Sequence, residues 1–109
     1  PEETEPVLEE LGEFRLTAYC ACRKCCGKDP GDFGYGVTAS GAVVEAGRTI
    51  AVDSSVIPLG SEIVIDGHTY VAEDTGSAIK GNRIDIYFDT HQEALNFGVQ
   101  YADVYIIKN

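Results

Sequence analysis

The sequence predicts a mainly β protein, a small closed barrel of six or seven short strands with one short helix. Three observations predict it. Runs rich in Val, Ile, Thr and Tyr recur from residue 13 to the C-terminus, as half-buried strands require. Turn signals separate them, among twelve glycines in 109 residues. Only one segment carries helix caps and helix spacing. So many short strands in one small domain favour closure, which leaves no sheet edge exposed.

In chain order, EFRLTAYC alternates and ends in a cysteine cluster, and residues 27–36, GKDPGDFGYG, form a Gly/Pro/Asp loop. VTAS, GRTIAVD, SEIVIDG, HTYVAED, NRIDIYF and ADVYIIK read as further strands. Asp66-Gly67 between SEIVI and HTYVAE marks a hairpin, because a type I′ turn needs positive φ at both central positions. The helix covers HQEALNF. Thr90 caps it, Glu93 completes a capping box and Gly98 suits the stop. Ala94, Leu95 and Phe97 are its expected core contacts.

The length suits one domain with a modest core. The net charge of −10 is concentrated at one end: six glutamates and no Lys or Arg lie in residues 1–13, so residues 14–109 carry −4. The expected division is an acidic linker or tail over 1–13 and a folded domain over 14–109. VLEELGEF has spacing that also allows a short helix. An acidic chain without a basic patch argues against nucleic acid as a partner, since that affinity comes from Lys and Arg on phosphates. No run approaches the roughly 20 apolar residues of a membrane-spanning helix. The chain opens on Pro1 and contains no methionine, and is expected to be a piece of something longer. It holds no recognisable export signal.

The most informative stretch is EDTGSAIKGNRIDIYFD, residues 73–89. Asp74 and Asp85 bound a glycine-broken turn that also holds Lys80 and Arg83. Asp53 ends another strand-like run, RTIAVD. On a strand, Asp85 faces away from Ile84 and Ile86. Carboxylates gathered at one groove share protons, and one of them can stay protonated well above the ordinary range. Lys80 and Arg83 are placed to hold the others ionised. The plainer alternative makes Asp74 and Asp85 turn residues bonded to loop amides.

These residues fall in a recognisable order. Gly36–Gly41 is GVTASG, Asp53–Ser61 is DSSVIPLGS, Asp74–Asp85 is DTGSAIKGNRID, and TAYCACRKCCG opens the set. Over about residues 14–108 the chain resembles the 3D-domain family, named for three aspartates. That family is similar to the catalytic region of membrane-bound lytic transglycosylase A and adopts a six-stranded double-psi β-barrel. Ser77 stands where the family often has glycine.

The resemblance implies a peptidoglycan lytic transglycosylase, secreted or wall-associated. It would cleave the MurNAc–GlcNAc β-1,4 bond and leave a 1,6-anhydroMurNAc end. A single carboxylic acid protonates the glycosidic oxygen, then takes the proton of the sugar's own C6 hydroxyl. By motif position Asp85 is that acid/base, Asp74 raises its pKa or orients it, and Asp53 supports the site. Lys80, with the amides of Gly76 and Ser77, contacts substrate oxygens, and Thr38 and Ser40 line the groove. No cofactor or metal is expected, and the domain is expected to act as a monomer on peptidoglycan glycan strands.

Two other readings compete. A wall-binding module without turnover would use aromatic platforms such as Tyr19, Phe33, Tyr35 and Tyr87. The tetrapeptide DTGS at Asp74–Ser77 is also the aspartic-protease signature, but AIKGNRID after it is foreign to those enzymes.

Cys20, Cys22, Cys25 and Cys26 lie within seven residues. Two disulfides, free thiols and a thiolate metal cluster all remain open, with three pairings for four cysteines. Neither His68, after a hairpin turn, nor His91, at a helix start, is placed by sequence to activate a thiol. Both read as surface residues.

Overall fold

The computed structural model describes residues 7–20, 38, 40–76 and 79–108. Six strands and one helix occur there: β1 (Val7–Tyr19), β2 (Thr49–Ala51), β3 (Glu62–Ile65), β4 (His68–Asp74), β5 (Arg83–Tyr87), α1 (His91–Phe97) and β6 (Gln100–Lys108). The strands close into a barrel in the order β1-β5-β2-β4-β3-β6. In that order β5 lies between β1 and β2, and β2 lies between β5 and β4. Each of two connections therefore crosses a strand inserted by the other, which is the double-psi arrangement. The inserted strands create the two parallel pairs, β1 with β5 and β2 with β4.

The 13-residue β1 serves two neighbours. Val7–Leu16 pairs antiparallel with β6, and Arg15–Tyr19 pairs in parallel with β5. A register shift between Glu10 and Gly12 leaves Leu11 as an extra residue, with Gly12 at φ 100°. Such a bulge bends and twists a strand, so one long strand can follow the barrel wall. VLEELGEF is thus strand throughout and not helix. β1 also crosses the division between residues 13 and 14 that charge alone suggests: glutamates on a strand's outer face cost little when the backbone has a partner.

Isoleucines fill the barrel. Ile63 and Ile65 of β3, Ile84 and Ile86 of β5, and Phe14 and Leu16 of β1 alternate inward around the fully buried Ile50 and Val104. The hairpin is as expected, with Asp66 at φ 51° and Gly67 at φ 78° between the paired Ile65 and His68. The capping box is also present. The Glu93 N–H donates to Thr90 Oγ1 at 3.1 Å, and the Thr90 N–H donates to Glu93 Oε1 at 3.2 Å. Ala94 is buried and Phe97 packs on Phe88, with ring centroids 5.4 Å apart. Leu95 is 61% exposed, contrary to expectation. Ala94 and Phe97, three residues apart, share the inner face of the helix, and Leu95 lies round the side.

VTAS does not form the expected strand at its described positions. Thr38 and Ser40 lie in a turn, where Thr38 O accepts from the Gly41 N–H at 2.9 Å and Thr38 Oγ1 accepts from the Ala42 N–H at 3.1 Å. The hydroxyl satisfies the turn and competes with strand pairing. Residues 1–6, the loop over 27–36 with Phe33 and Tyr35, and the positions Cys22, Cys25, Cys26 and Ser77 lie outside the described residues.

Ile50 pairs with Ile86 on one side and Ala72 on the other and is fully buried. Ile50→Ala is expected to destabilise the fold by about 2–5 kcal/mol, read as a lower denaturant midpoint with an unchanged slope. Ile50→Val is expected to cost roughly 1 kcal/mol.

Candidate active site

The candidate site lies on the outer face of the barrel wall, where four strands meet in register. In the parallel β1–β5 pair, Thr17 stands beside Asp85 and Tyr19 beside Tyr87. On the other side of β5, Asp85 pairs with Ala51 of β2. Ala51 in turn pairs with Asp74 of β4. A single row thus runs Thr17, Asp85, Ala51, Asp74.

A bulge makes the row possible. Ile50 pairs with Ala72, yet the next residue, Ala51, pairs with Asp74, so Glu73 is extra in β4. Without it, Asp74 would fall one position out of line. The Glu73 carboxylate ties the bulge down, accepting from Arg48 Nε at 3.0 Å and Thr49 Oγ1 at 2.7 Å. Its side chain is only 13% exposed, so this ion pair sits where water screens it poorly. Ala51, as the residue between the two aspartates, keeps the space between them small and apolar.

Asp85 is partly buried, while Ile84 and Ile86 point into the core as the alternation predicts. Its Oδ1 accepts the Thr17 hydroxyl at 2.8 Å. Burial pushes its pKa above the ordinary 3.8, the Thr17 hydrogen bond and the Arg83 charge oppose this, and the Asp74 charge adds to it. That Asp74 contributes least fits its place two strand spacings away, roughly 10 Å along the sheet. Asp74 accepts at both oxygens, from the Thr75 N–H at 2.9 Å and the Tyr19 hydroxyl at 3.2 Å.

Asp53 lies outside the row. Its Oδ1 accepts the Ser55 N–H at 3.0 Å and the Ser55 hydroxyl at 2.7 Å, and its Oδ2 accepts the Gly81 N–H at 2.9 Å. Its backbone carbonyl also accepts from the Val56 and Ile57 N–H groups. Asp53 therefore fastens the loop around Gly81 to the turn after β2. These bonds, led by that of the Ser55 hydroxyl, hold its pKa down at about 2, with a smaller contribution from Lys80. Asp53, Lys80, Thr75 and Gly76 line an open cleft of about 390 Å³. A Cβ on Gly76 would stand 3.0 Å from Ile79 Cγ1, so glycine is what lets this loop close on Ile79.

Of the remaining candidates, Ser40 hangs on the bulge, its N–H donating to Glu73 O at 3.1 Å. Thr38 is buried, and its hydroxyl is engaged with Ser40 Oγ at 3.0 Å and with the Ala42 N–H. Tyr19 and Tyr87 are not open platforms. They are 8% and 6% exposed and meet edge to face at 5.5 Å, because parallel register stacks them side by side. The Thr17 and Tyr19 hydroxyls bond Asp85 and Asp74, contacts that the motif reading missed. The signal available was T-A-Y itself, two hydroxyl residues on one face of a strand.

His91 also departs from expectation. Its Nδ1 lies 3.6 Å from the buried Cys20 Sγ, because α1 starts over the end of β1. His68 Nε2 meets Gly47 O at 2.7 Å and the ring leans on Tyr70. Among the described residues, no group of three or more His, Cys, Asp or Glu side chains is arranged to hold a metal ion.

Residues 48–108 match the 3D domain family. YocH, a cell wall-binding protein of Bacillus subtilis, is 42% identical over 76 residues, which cover 66% of this chain and 26% of that protein. YabE of the same organism is 40% identical over 96 residues, covering 84% of this chain and 21% of that protein. The chain thus spans about a quarter or less of the length of these relatives. The E. coli lytic transglycosylase MltA, solved with bound chitohexaose, superposes with a TM-score of 0.57 at 26% identity, covering 67% of this chain and 27% of MltA.

The depressed Asp53 pKa has a pH consequence of definite sign. A carboxylate with a folded pKa below its unfolded value stabilises the fold fully above the unfolded value and loses that contribution as pH falls. Here the window runs from the ordinary 3.8 down to about 2. Asp53→Asn is expected to melt below wild type at neutral pH. The gap should close across that window in thermal scans.

Proposed function

The chain belongs to the 3D domain family, and from that premise we propose that it is a peptidoglycan lytic transglycosylase with Asp85 as its acid/base. The observation that carries this reading is the row itself. It supplies one carboxyl whose pKa burial raises, in line with a second carboxylate two strands away that accepts at both oxygens. An upward shift is the direction a carboxylic general acid needs. The MltA fold and the wall-binding relative support the peptidoglycan setting, and chitohexaose in MltA supports a β-1,4-linked glycan.

In the proposed reaction Asp85 gives its proton to the glycosidic oxygen between MurNAc and GlcNAc. The C1–O bond breaks and the departing sugar leaves as an alcohol. Positive charge develops at C1 of MurNAc. The C6 hydroxyl of that sugar attacks C1, and its proton passes to the Asp85 carboxylate, which restores the acid. The product carries a 1,6-anhydro ring. Because the nucleophile is tethered to its electrophile, it has an effective concentration that bound water does not reach. One carboxyl then serves as acid and base in turn, whereas hydrolytic glycosidases use two.

Asp74 in this scheme raises the Asp85 pKa through its charge. Asp53 holds the cleft loops, and Lys80 with the Gly76 and Ser77 amides meets substrate oxygens. No cofactor takes part. In this reading the domain acts as a monomer, outside the cell against the wall.

A second reading has its own support, since YocH is named for binding the wall. The domain would then hold glycan without cutting it. The aspartic-protease reading of DTGS gains nothing from the fold, which is a closed six-stranded barrel of the 3D domain family.

Mass spectrometry of muropeptides released from purified peptidoglycan tests the proposal. Wild type is expected to release anhydro-ended products, and Asp85→Asn is expected to lower the rate by about 100- to 10,000-fold. Wild type that pellets with the wall and releases nothing would favour the binding reading and remove the catalytic one.

A further inference from the structure

We infer that Thr17 and Tyr19 are the positioning residues of this site: the Thr17 hydroxyl confines the transferable proton of Asp85 to Oδ2, and the Tyr19 hydroxyl fixes the Asp74 carboxylate two strands along the same row. The inference rests on the acid role proposed for Asp85.

Hydrogen-bond direction at Thr17 decides where the Asp85 proton sits. The Arg83 guanidinium can only donate, and its Nη2 approaches Thr17 Oγ1 at 3.5 Å. That approach takes one of the hydroxyl's two acceptor positions. The Thr17 hydrogen then has two acceptors in reach, Asp85 Oδ1 at 2.8 Å and Ile84 O at 3.5 Å. The short contact takes it. Oδ1 of Asp85 is therefore an acceptor, and when the carboxyl is protonated its own hydrogen sits on Oδ2. A hydrogen on Oδ1 would turn the Thr17 hydroxyl toward the distant Ile84 carbonyl.

Tyr19 acts on the other carboxylate. Its hydroxyl bonds Asp74 Oδ2 at 3.2 Å, while the Thr75 N–H holds Oδ1 at 2.9 Å. The Tyr19 ring is itself fixed by burial and by its edge contact with Tyr87. Thr17 and Tyr19 are two apart on β1, so they share one face. One strand thus supplies a hydroxyl to each carboxyl of the row. Valine and phenylalanine would fill the same space with no polar group to satisfy. Among the described residues, the charged groups acting on Asp85 are Arg83 of β5 and Asp74 of β4; β2 presents the uncharged Ala51, and β1 these two hydroxyls.

Carbon-detected NMR titration of the aspartate carboxyls tests this without depending on turnover. The chains compared are wild type, Thr17→Val, Thr17→Ser and Tyr19→Phe. Thr17→Val removes a hydrogen bond to the charged form, so the Asp85 midpoint is expected to move up, with Thr17→Ser returning it toward wild type. Tyr19→Phe is expected to move the Asp74 carboxyl signal. In wild type, the Thr17 hydroxyl proton is expected to be visible and protected from exchange, which keeps the test open if a variant fails to fold. Equal Asp85 midpoints in wild type and Thr17→Val, or a freely exchanging Thr17 hydroxyl, would overturn the inference. Muropeptide release is a separate readout. If wild type is active, the alkaline limb of its pH profile moves to higher pH in Thr17→Val. If wild type releases nothing, the acid role fails while the titration still decides the positioning.

Discussion

Register across four strands is the constraint on which the site depends. Asp85 reaches Thr17 because β1 and β5 run parallel, and it meets Ala51 because β2 runs antiparallel on its other side. Asp74 joins them only through the extra residue Glu73. A slip of one residue in any pair would turn a carboxylate to the opposite face. The inner face of the same strands guards against that slip. Ile84 and Ile86, Phe14 and Leu16, and Ile50 are all buried in one cluster. Shifting the site would drag isoleucines into water, at roughly 2 kcal/mol or more for each. The apolar core therefore fixes the polar row, and barrel closure fixes the core.

Electrostatics sets Asp53 and Asp85 apart. Asp53 is surrounded by donors and held to a pKa of about 2, so at any physiological pH it is a fixed anion that clamps loops. Asp85 has one hydroxyl donor and partial burial, and its pKa is raised. The two differ in how many donors each meets. Asp53 takes three hydrogen bonds from Ser55 and Gly81 at a turn, where backbone amides are available. Asp85 sits mid-strand, where the backbone amides are spent on the ladder. The same residue type thus has its pKa lowered at a turn and raised on a strand.

Much of this was legible in the sequence where the determining physics is local. The Asp66-Gly67 turn, the Thr90–Glu93 capping box and the alternation around Asp85 each depend on residues a few positions apart. All three appear as expected. What was not legible depends on distant partners. VLEELGEF is a strand because β6 pairs with it, although its spacing also allowed a helix. Leu95 is exposed because the barrel meets only the Ala94 side of α1. The bulge at Glu73 has no local signature, so nothing in TYVAED announced that Asp74 would share a row with Ala51. Thr17 read as an ordinary strand residue and Tyr19 as an aromatic platform until the closed sheet brought their hydroxyls to carboxylates 68 and 55 positions away.

The choice of nucleophile separates the lytic scheme from every hydrolytic one, and isotope labelling reads it directly. The reaction would be run on purified peptidoglycan in water enriched in heavy oxygen, and the new MurNAc ends examined by mass spectrometry. Attack by the C6 hydroxyl predicts ends that carry no solvent oxygen and lack the elements of one water. Heavy oxygen at those ends would mean that water is the nucleophile. A single carboxyl at Asp85 would then be insufficient, and the row of Asp85 and Asp74 would have to work as a two-carboxylate hydrolase.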